Sequence, residues 1–499
     1  MANEIELKLA FPASALAQVL AHPLLAQAPR KGVPRVLDNT YFDTADLTLH
    51  AARIAVRTRR MGDSVLQTVK CAAESRGGLS SRPEWEQPFR EQFDFSAVDI
   101  KAVRKMLEAL AAQLQPVFTT VFHRDTRIVQ PVPEVSILVM IDTGKIIAGD
   151  AEEAICELEL ELAQGGANDL INLAIVLAED LPLIPFDLSK AQRGYQLFCH
   201  TPPQAIRFSK PTLNAAQAPL DVFRQLAEIA ENAWLANLHG TLGSNDPEFV
   251  HQLRVTLRRL KTLLKVFKPV LPADFVSRWK THLGELARVS GQARDLDVLR
   301  EDILAPLRCS ESATDIDALL EHSLRECAHQ QQLARQQLAA MPHGLHLLHF
   351  NKALHRLPEP VKTGKLPAFA AKRLHKLHAT ARRQLTAVDQ NPTPEMRHRL
   401  RISLKHLRYS CEFFASLFNE EAMNRFARNI AARQDELGFL QDLQTTLDCL
   451  ERWSQHDPAL RQAPERVSAW YADKAERTVK QAGELLATQL AATPPWQTA

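Results

Sequence analysis

Two segments of the chain carry one pattern at an offset of 147 residues: VHQLRVTLRRLKTLLKVF from Val250 and RHRLRISLKHLRYSCEFF from Arg397. With no gap, His251 aligns with His398, Arg254 with Arg401, Arg258 with Lys405, Lys261 with Arg408 and Phe267 with Phe414. The register holds on to Gly291 and Gly438, and to Asp295-Leu296 and Asp442-Leu443. Self-similarity this long requires a duplicated unit. At the helical turn of about 100° per residue, His251, Arg254, Arg258 and Lys261 fall within an arc of about 80°. Leu253, Leu257, Leu260, Leu264 and Phe267 take another arc, so each copy predicts an amphipathic helix with a basic stripe. A lone basic stripe is usually a solvated face, but two equivalent ones favour a joint basic surface. The stripe holds no aromatic residues on which bases could stack, which favours a ligand that is phosphate throughout.

The rest of the chain has a different period and charge. Residues 1–200 hold 20 Lys+Arg against 26 Asp+Glu, and residues 201–499 hold 40 against 32. Fourteen of the 18 histidines also lie after residue 200. At 499 residues the chain is too long for one ordinary core. The proline-rich stretch Thr201–Pro219 reads as a linker. The expected domains are therefore residues 1–200, a linker at 201–219, and a helical domain at 220–495. Seven scattered cysteines without a CxxC pair point to a reducing compartment. With no membrane-length apolar run and no signal-like N-terminus, a cytoplasmic location is expected.

Before residue 200 the period is two. Glu4, Glu6 and Lys8 alternate with Ile5, Leu7 and Leu9, and Glu157, Glu159 and Glu161 alternate with Leu158, Leu160 and Leu162. Arg57 and Arg59 share a third face, and Lys70 ends a fourth strand. Any one such strand is satisfied by a sheet with a wet face. Taken together, the carboxylates can hold a hard divalent cation while the arginines and lysines clamp phosphate. A closed barrel with a polar lumen would bring them together. No Walker A, GxGxxG or Ser/His/Asp arrangement is apparent.

The ordered series Glu4-x-Glu6-x-Lys8, Tyr41-Phe42-Asp43-Thr44, Arg57-x-Arg59, Lys70, Arg82-x-Glu84-x-Glu86, Glu157-x-Glu159-x-Glu161 and Ser189-Lys190 with Arg193-Gly194-Tyr195 resembles the CYTH, or triphosphate tunnel metalloenzyme, superfamily. The resemblance implies an eight-stranded antiparallel β tunnel that binds a triphosphate and Mg2+ or Mn2+. Glu4, Glu6, Glu157 and Glu159 would hold metal, and Lys8, Arg57, Arg59, Lys70 and Lys190 would grip phosphate and serve catalysis. Arg82, Arg124 and Arg193 are further substrate-binding candidates, and Lys70 matches a lysine placed to help activate the attacking water. Glu161 could be a ligand or a rim charge.

His251-Gln252-Leu253-Arg254, Arg294-Asp295-Leu296-Asp297, His398-x-x-Arg401, Lys405-x-x-Arg408-Tyr409 and Gln441-Asp442 resemble the CHAD domain, a helical module associated with inorganic polyphosphate. That resemblance implies His251, Arg254, Arg258, Lys261, Arg294, His398, Arg401, Lys405 and Arg408 as polyphosphate ligands. The halves differ where Arg294 is matched by Gln441 and Lys265 by Glu412.

The expected protein is therefore multidomain, α+β and then all-α: a β tunnel followed by a duplicated helical bundle. Inorganic triphosphate hydrolysis is the expected activity, with inorganic triphosphate and polyphosphate as partners and with association to polyphosphate granules. Thiamine triphosphate, RNA 5′-triphosphate and ATP cyclisation are alternative tunnel chemistries. A non-catalytic granule adaptor is the alternative of another class, and nucleic acid is a less favoured ligand.

Overall fold

The computed structural model describes residues 3–62, 64–71, 75–308, 314–359 and 365–497. Three candidate residues, Glu4, Arg82 and Arg294, have side chains outside the described residues. The chain divides into two compact units, one of residues 1–204 with 342–356, the other of residues 205–341 with 357–499.

The strands of the first unit are β1 (Asn3–Ala10), β2 (Arg35–Asp43), β3 (Ile54–Met61), β4 (Ser64–Cys71), β5 (Ser75–Arg76), β6 (Leu79–Pro88), β7 (Gln115–Val129), β8 (Ser136–Ala148), β9 (Ala151–Gln164) and β10 (Ile184–Pro185). Its helices are α1 (Leu16–Ala21), α2 (Pro23–Ala26), α3 (Thr48–Ala51), α4 (Lys101–Leu110), α5 (Ala167–Asp180) and α6 (Lys190–Phe198). The order β1-β9-β8-β7-β2-β3-β4-β6 returns to β1, which bonds to both β9 and β6. Every pairing is antiparallel, so eight strands close into a tunnel, with β10 and β5 as short additions.

Closure buries both faces of β1 and β9 where they pair. Leu7, Leu9, Leu158 and Leu160 pack outward with Leu170, Leu173 and Leu177 of α5. Their neighbours Glu6, Lys8, Glu157 and Glu159 are buried as well. The alternation of charged and apolar residues is therefore that of a strand between core and lumen, not one between core and water.

The second unit contains α7 (Pro219–Gly243), α8 (Pro247–Phe267), α9 (Ala273–Val298), α10 (Ala305–Arg308) and α11 (Thr314–Ala340). After α12 (His343–His355) it continues with α13 (Leu366–Gln390), α14 (Pro394–Phe413), α15 (Glu420–Ser454) and α16 (Ala463–Ala491). Helices α7, α8 and α9 begin at 219, 247 and 273, and α13, α14 and α15 begin at 366, 394 and 420, each 147 later. The caps repeat too: Asp246 accepts from Glu248 N, and its counterpart Thr393 accepts from Met396 N, each followed by proline. Phe267 and Phe414, equivalent residues of the two copies, meet with ring centroids 5.7 Å apart, as they would beside a pseudo-twofold axis.

Helix α12 lies between helices of the second unit in sequence but groups with the β unit. Leu345 and Leu348 enter the core formed by Leu170, Leu181 and Leu183. Gly344 permits the approach, since a Cβ there would lie 1.7 Å from the Leu183 carbonyl oxygen. Among the described residues, the carboxylate cluster Asp142–Glu157–Glu159 is the one group arranged to hold a metal. No helix of the described residues is long and apolar enough to cross a membrane.

Candidate active site and polyanion surface

Strand register builds the tunnel site. Arg124 of β7 stands opposite Asp142 of β8, and Asp142 opposite Glu157 of β9. One step along, Glu159 stands opposite Lys8 of β1, and Glu161 opposite Glu6. Helix α6 adds two cations. Its first turn is fixed by a capping box in which Ser189 Oγ accepts from Gln192 N at 3.2 Å and Gln192 Oε1 accepts from Ser189 N at 2.8 Å. This places Lys190 at the first helical position and Arg193 one turn later.

A lysine at a helix N-terminus is opposed by the helix dipole, and burial opposes its charge further. Three carboxylates compensate. Lys190 Nζ donates to Asp142 Oδ2 at 2.7 Å, to Glu159 Oε1 at 2.9 Å and to Glu157 Oε1. Against the effect of burial, Asp142, Glu157 and Glu159 hold the Lys190 ammonium above its ordinary pKa. Arg124 forks onto Asp142, with Nε to Oδ1 at 2.7 Å and NH2 to Oδ2 at 2.5 Å, and it also donates to Glu159 Oε2 at 2.5 Å. Burial raises the Glu159 pKa, but Lys190, Arg124 and Lys8 outweigh it and hold the carboxyl well below the usual range. Arg193 donates to Glu153 at 2.6 Å and to Glu157 at 3.3 Å.

The facing wall is cationic. Arg59 donates to Asn39 Oδ1 at 2.9 Å and lies 3.7 Å from Glu86. Arg57 donates to the Tyr41 hydroxyl at 3.3 Å, and Lys70 pairs with Glu84 at 2.7 Å. Burial and the nearby Arg57 and Arg124 pull Arg59 down to about 10. Burial and the two neighbouring guanidinium groups thus outweigh Glu86 at this position. Lys8 donates to the Leu188 carbonyl at 3.3 Å, and Glu6 accepts from Ser80 Oγ at 3.2 Å. Glu161 stands apart, with its pKa raised by burial.

Asp142 was missed in the sequence. It is fully buried, and its carboxylate oxygens come within 4.8 Å of those of Glu157 and Glu159. The available signal was a single acid directly after the apolar run Ile137–Ile141. Its meaning depends on register, which the sequence does not display. Three buried carboxylates this close match the all-oxygen donor set of Mg2+ or Mn2+, so the residues fit a hard divalent cation.

In the helical unit both basic stripes reach the α8–α14 contact. Arg254 donates to the Ser290 carbonyl at 2.7 Å and lies 3.6 Å from Asp295. It lies across Gly291, where a Cβ would come 2.9 Å from its guanidinium. The second copy repeats this packing: a Cβ at Gly438 would come 3.2 Å from Arg401. The duplicated glycines thus make room for the duplicated arginines. Lys405 feels Arg258, Arg401 and Arg254 at once, and burial with these charges pulls it down to about 6. His251 is half-buried and His398 exposed. Arg408 differs from its counterpart Lys261 by lying 3.6 Å from Glu412.

Next to Lys405, His406 Nδ1 lies 2.9 Å from Thr262 Oγ1. Burial, then Lys265, Lys261 and Lys405, pull His406 down to about 3. The unfolded chain, with an ordinary histidine near 6.5, therefore binds the proton that the folded chain refuses. Between about 6.5 and about 3 the sign is fixed: stability falls as pH falls. Thermal melting across that window should show a decline that His406→Gln reduces. A variant that declines as steeply as the parent would assign the effect to other groups.

Residues 2–195 match the CYTH domain family and residues 225–451 the CHAD domain family. An inorganic triphosphatase of Haemophilus influenzae is 32% identical over 200 residues, covering 40% of this chain. The chain spans 55% of the length of that curated relative. The crystal structure of the CHAD domain from the plant Ricinus communis is similar in fold, with a TM-score of 0.51 and 24% identity, over 58% of this chain and 98% of that one. The chain therefore carries a CYTH domain at residues 2–195 and a CHAD domain at residues 225–451.

Proposed function

We propose that the tunnel hydrolyses inorganic triphosphate to pyrophosphate and phosphate, and that the helical unit binds linear inorganic polyphosphate. The observation that carries the enzyme reading is a closed lumen with a carboxylate cluster on β8 and β9 and arginines on β3 and β7. Similarity of the CYTH region to an inorganic triphosphatase supports the substrate class.

Asp142, Glu157 and Glu159, joined by Glu4 and Glu6 of β1, would hold Mg2+ or Mn2+. A bound divalent ion neutralises phosphate charge and lowers the pKa of coordinated water. The protein's own cations do the rest. Arg57, Arg59 and Arg124 bind the phosphoryl oxygens, Arg bidentately, and oppose the charge that develops in phosphoryl transfer. Lys8 and Lys190 fix the chain from the β1 and α6 sides, and Arg82 and Arg193 extend the grip. Lys70, oriented by Glu84, positions the attacking water. In the helical unit His251, Arg254, Arg258, Lys261, Arg294, His398, Arg401, Lys405 and Arg408 would bind the polyanion. That unit localises the enzyme on polyphosphate or presents chains to the tunnel.

The test is phosphate release by the full chain with Mg2+ and with Mn2+. Inorganic triphosphate, thiamine triphosphate, ATP and long polyphosphate would be compared, with Glu4→Ala/Glu6→Ala as control. Metal-dependent triphosphate cleavage well above the others, lost in the control, is expected. No turnover of any substrate alongside tight polyphosphate binding would favour the non-catalytic adaptor.

A further inference from the structure

The two copies of the helical unit are matched in backbone but not in charge. Lys265 of the first copy corresponds to Glu412 of the second, and Lys280 to Ala427. On the first helix of each copy the imbalance has the same effect: Arg373 and Lys376 of α13 correspond to Leu226 and Ile229 of α7.

These differences form two opposite sides of one pseudo-symmetric contact. On one side, Arg259 donates to Glu412 at 2.5 Å and lies over the Tyr409 ring at 4.6 Å, while Arg408 approaches the same carboxylate. The symmetry-related side exchanges Arg259 for His406, Tyr409 for Thr262 and Glu412 for Lys265. There Arg373 donates to the Lys265 carbonyl at 3.1 Å, bringing α13 against α8. Burial and the charges of Arg373 and Lys376 lower the Lys265 pKa, as burial, Arg258 and Lys280 lower that of Lys261. Among the described residues no carboxylate pairs with Lys261, Lys265, Lys280, Arg373 or Lys376. On one side two arginines share a carboxylate, and on the other five cations have no carboxylate partner, a field that favours an external anion.

We infer that a linear polyphosphate chain bound at the Arg258–Lys405 centre runs out over one side only, along Lys261, Lys265, Lys280, Arg373 and Lys376. This rests on the polyphosphate reading of the helical unit and gives that site a direction. Of these five residues only Lys261 belongs to the duplicated motif. A chain long enough to pass the centre gains the other four contacts as well.

The experiment compares two charge-matched variants of the full chain, binding long-chain polyphosphate in metal-free buffer so that none is hydrolysed. Lys265→Glu/Lys376→Glu changes two exposed cations on the proposed side. Arg425→Glu/Arg428→Glu changes two exposed cations on α15, the helix that carries Ala427. The first variant should lose about tenfold more affinity than the second, with a shallower dependence of log Kd on log salt. Lys376→Glu alone must show the same bias, which guards against misfolding of the double variant. Equal losses in the two doubles would overturn the one-sided track alone. Failure of the parent chain to bind polyphosphate would overturn the underlying reading and this inference with it.

Discussion

Glu159→Gln is expected to reduce triphosphate turnover about a thousandfold while leaving the protein folded. Glutamine keeps the shape but replaces one acceptor oxygen with an amide that donates. Glu159 accepts from Lys190 at one oxygen and from Arg124 at the other, so either amide orientation sets a donor against a donor. The substitution also removes one of the three charges that make the cluster a cation site. Lys190 would still be paired with Asp142 and Glu157, and Arg124 with Asp142. The stability cost should therefore be at or below the roughly 3 kcal/mol of a broken buried pair. Glu161→Gln, on the same strand face but apart from the cluster, should change turnover by less than about threefold, well below the effect of one lost transition-state contact. Phosphate release at saturating metal, with a melting curve for each variant, separates these outcomes. A folded Glu159→Gln protein with near-parental turnover would remove the carboxylate cluster from the chemistry.

The contrast between Glu159 and Asp142 separates what local sequence encodes in this site from what strand register adds. Glu157, Glu159 and Glu161 announce a strand face because they alternate with three leucines, and period two is a property of the backbone. Asp142 stands alone in an apolar strand and acquires its role only when β8 pairs with β9 in the register that sets it opposite Glu157. The duplicated helices were legible to the residue, since the 147-residue offset survives in their starts and caps. The membership of α12 was not. It follows from Leu345, Leu348 and Gly344 fitting against distant Leu183, a contact with no local signature. The one-sided charge of the helical unit lies between these cases. Lys265 against Glu412 is visible by alignment, but its partnership with Arg373 requires α13 to pack on α8.

Lys405 leads to the second large effect. Lys405→Glu together with Arg258→Glu should lower polyphosphate affinity about a hundredfold or more, because each reversal converts an attraction at the pseudo-twofold centre into a repulsion. The parent chain should also show a proton linkage there. Burial, Arg258, Arg401 and Arg254 hold the ligand-free ammonium near 6, so above that pH it is largely neutral. A polyanion reverses the local field and raises the pKa of the bound state. Binding therefore takes up protons, and affinity must rise as pH falls toward about 6 and level off below it. Calorimetry near neutral pH in two buffers of different ionisation enthalpy should report an uptake approaching about one proton per site. Lys405→Met should abolish that uptake and flatten the pH profile while leaving the arginines to bind. Uptake of the same size in the Met variant would assign the proton to another group and leave Lys405 charged throughout.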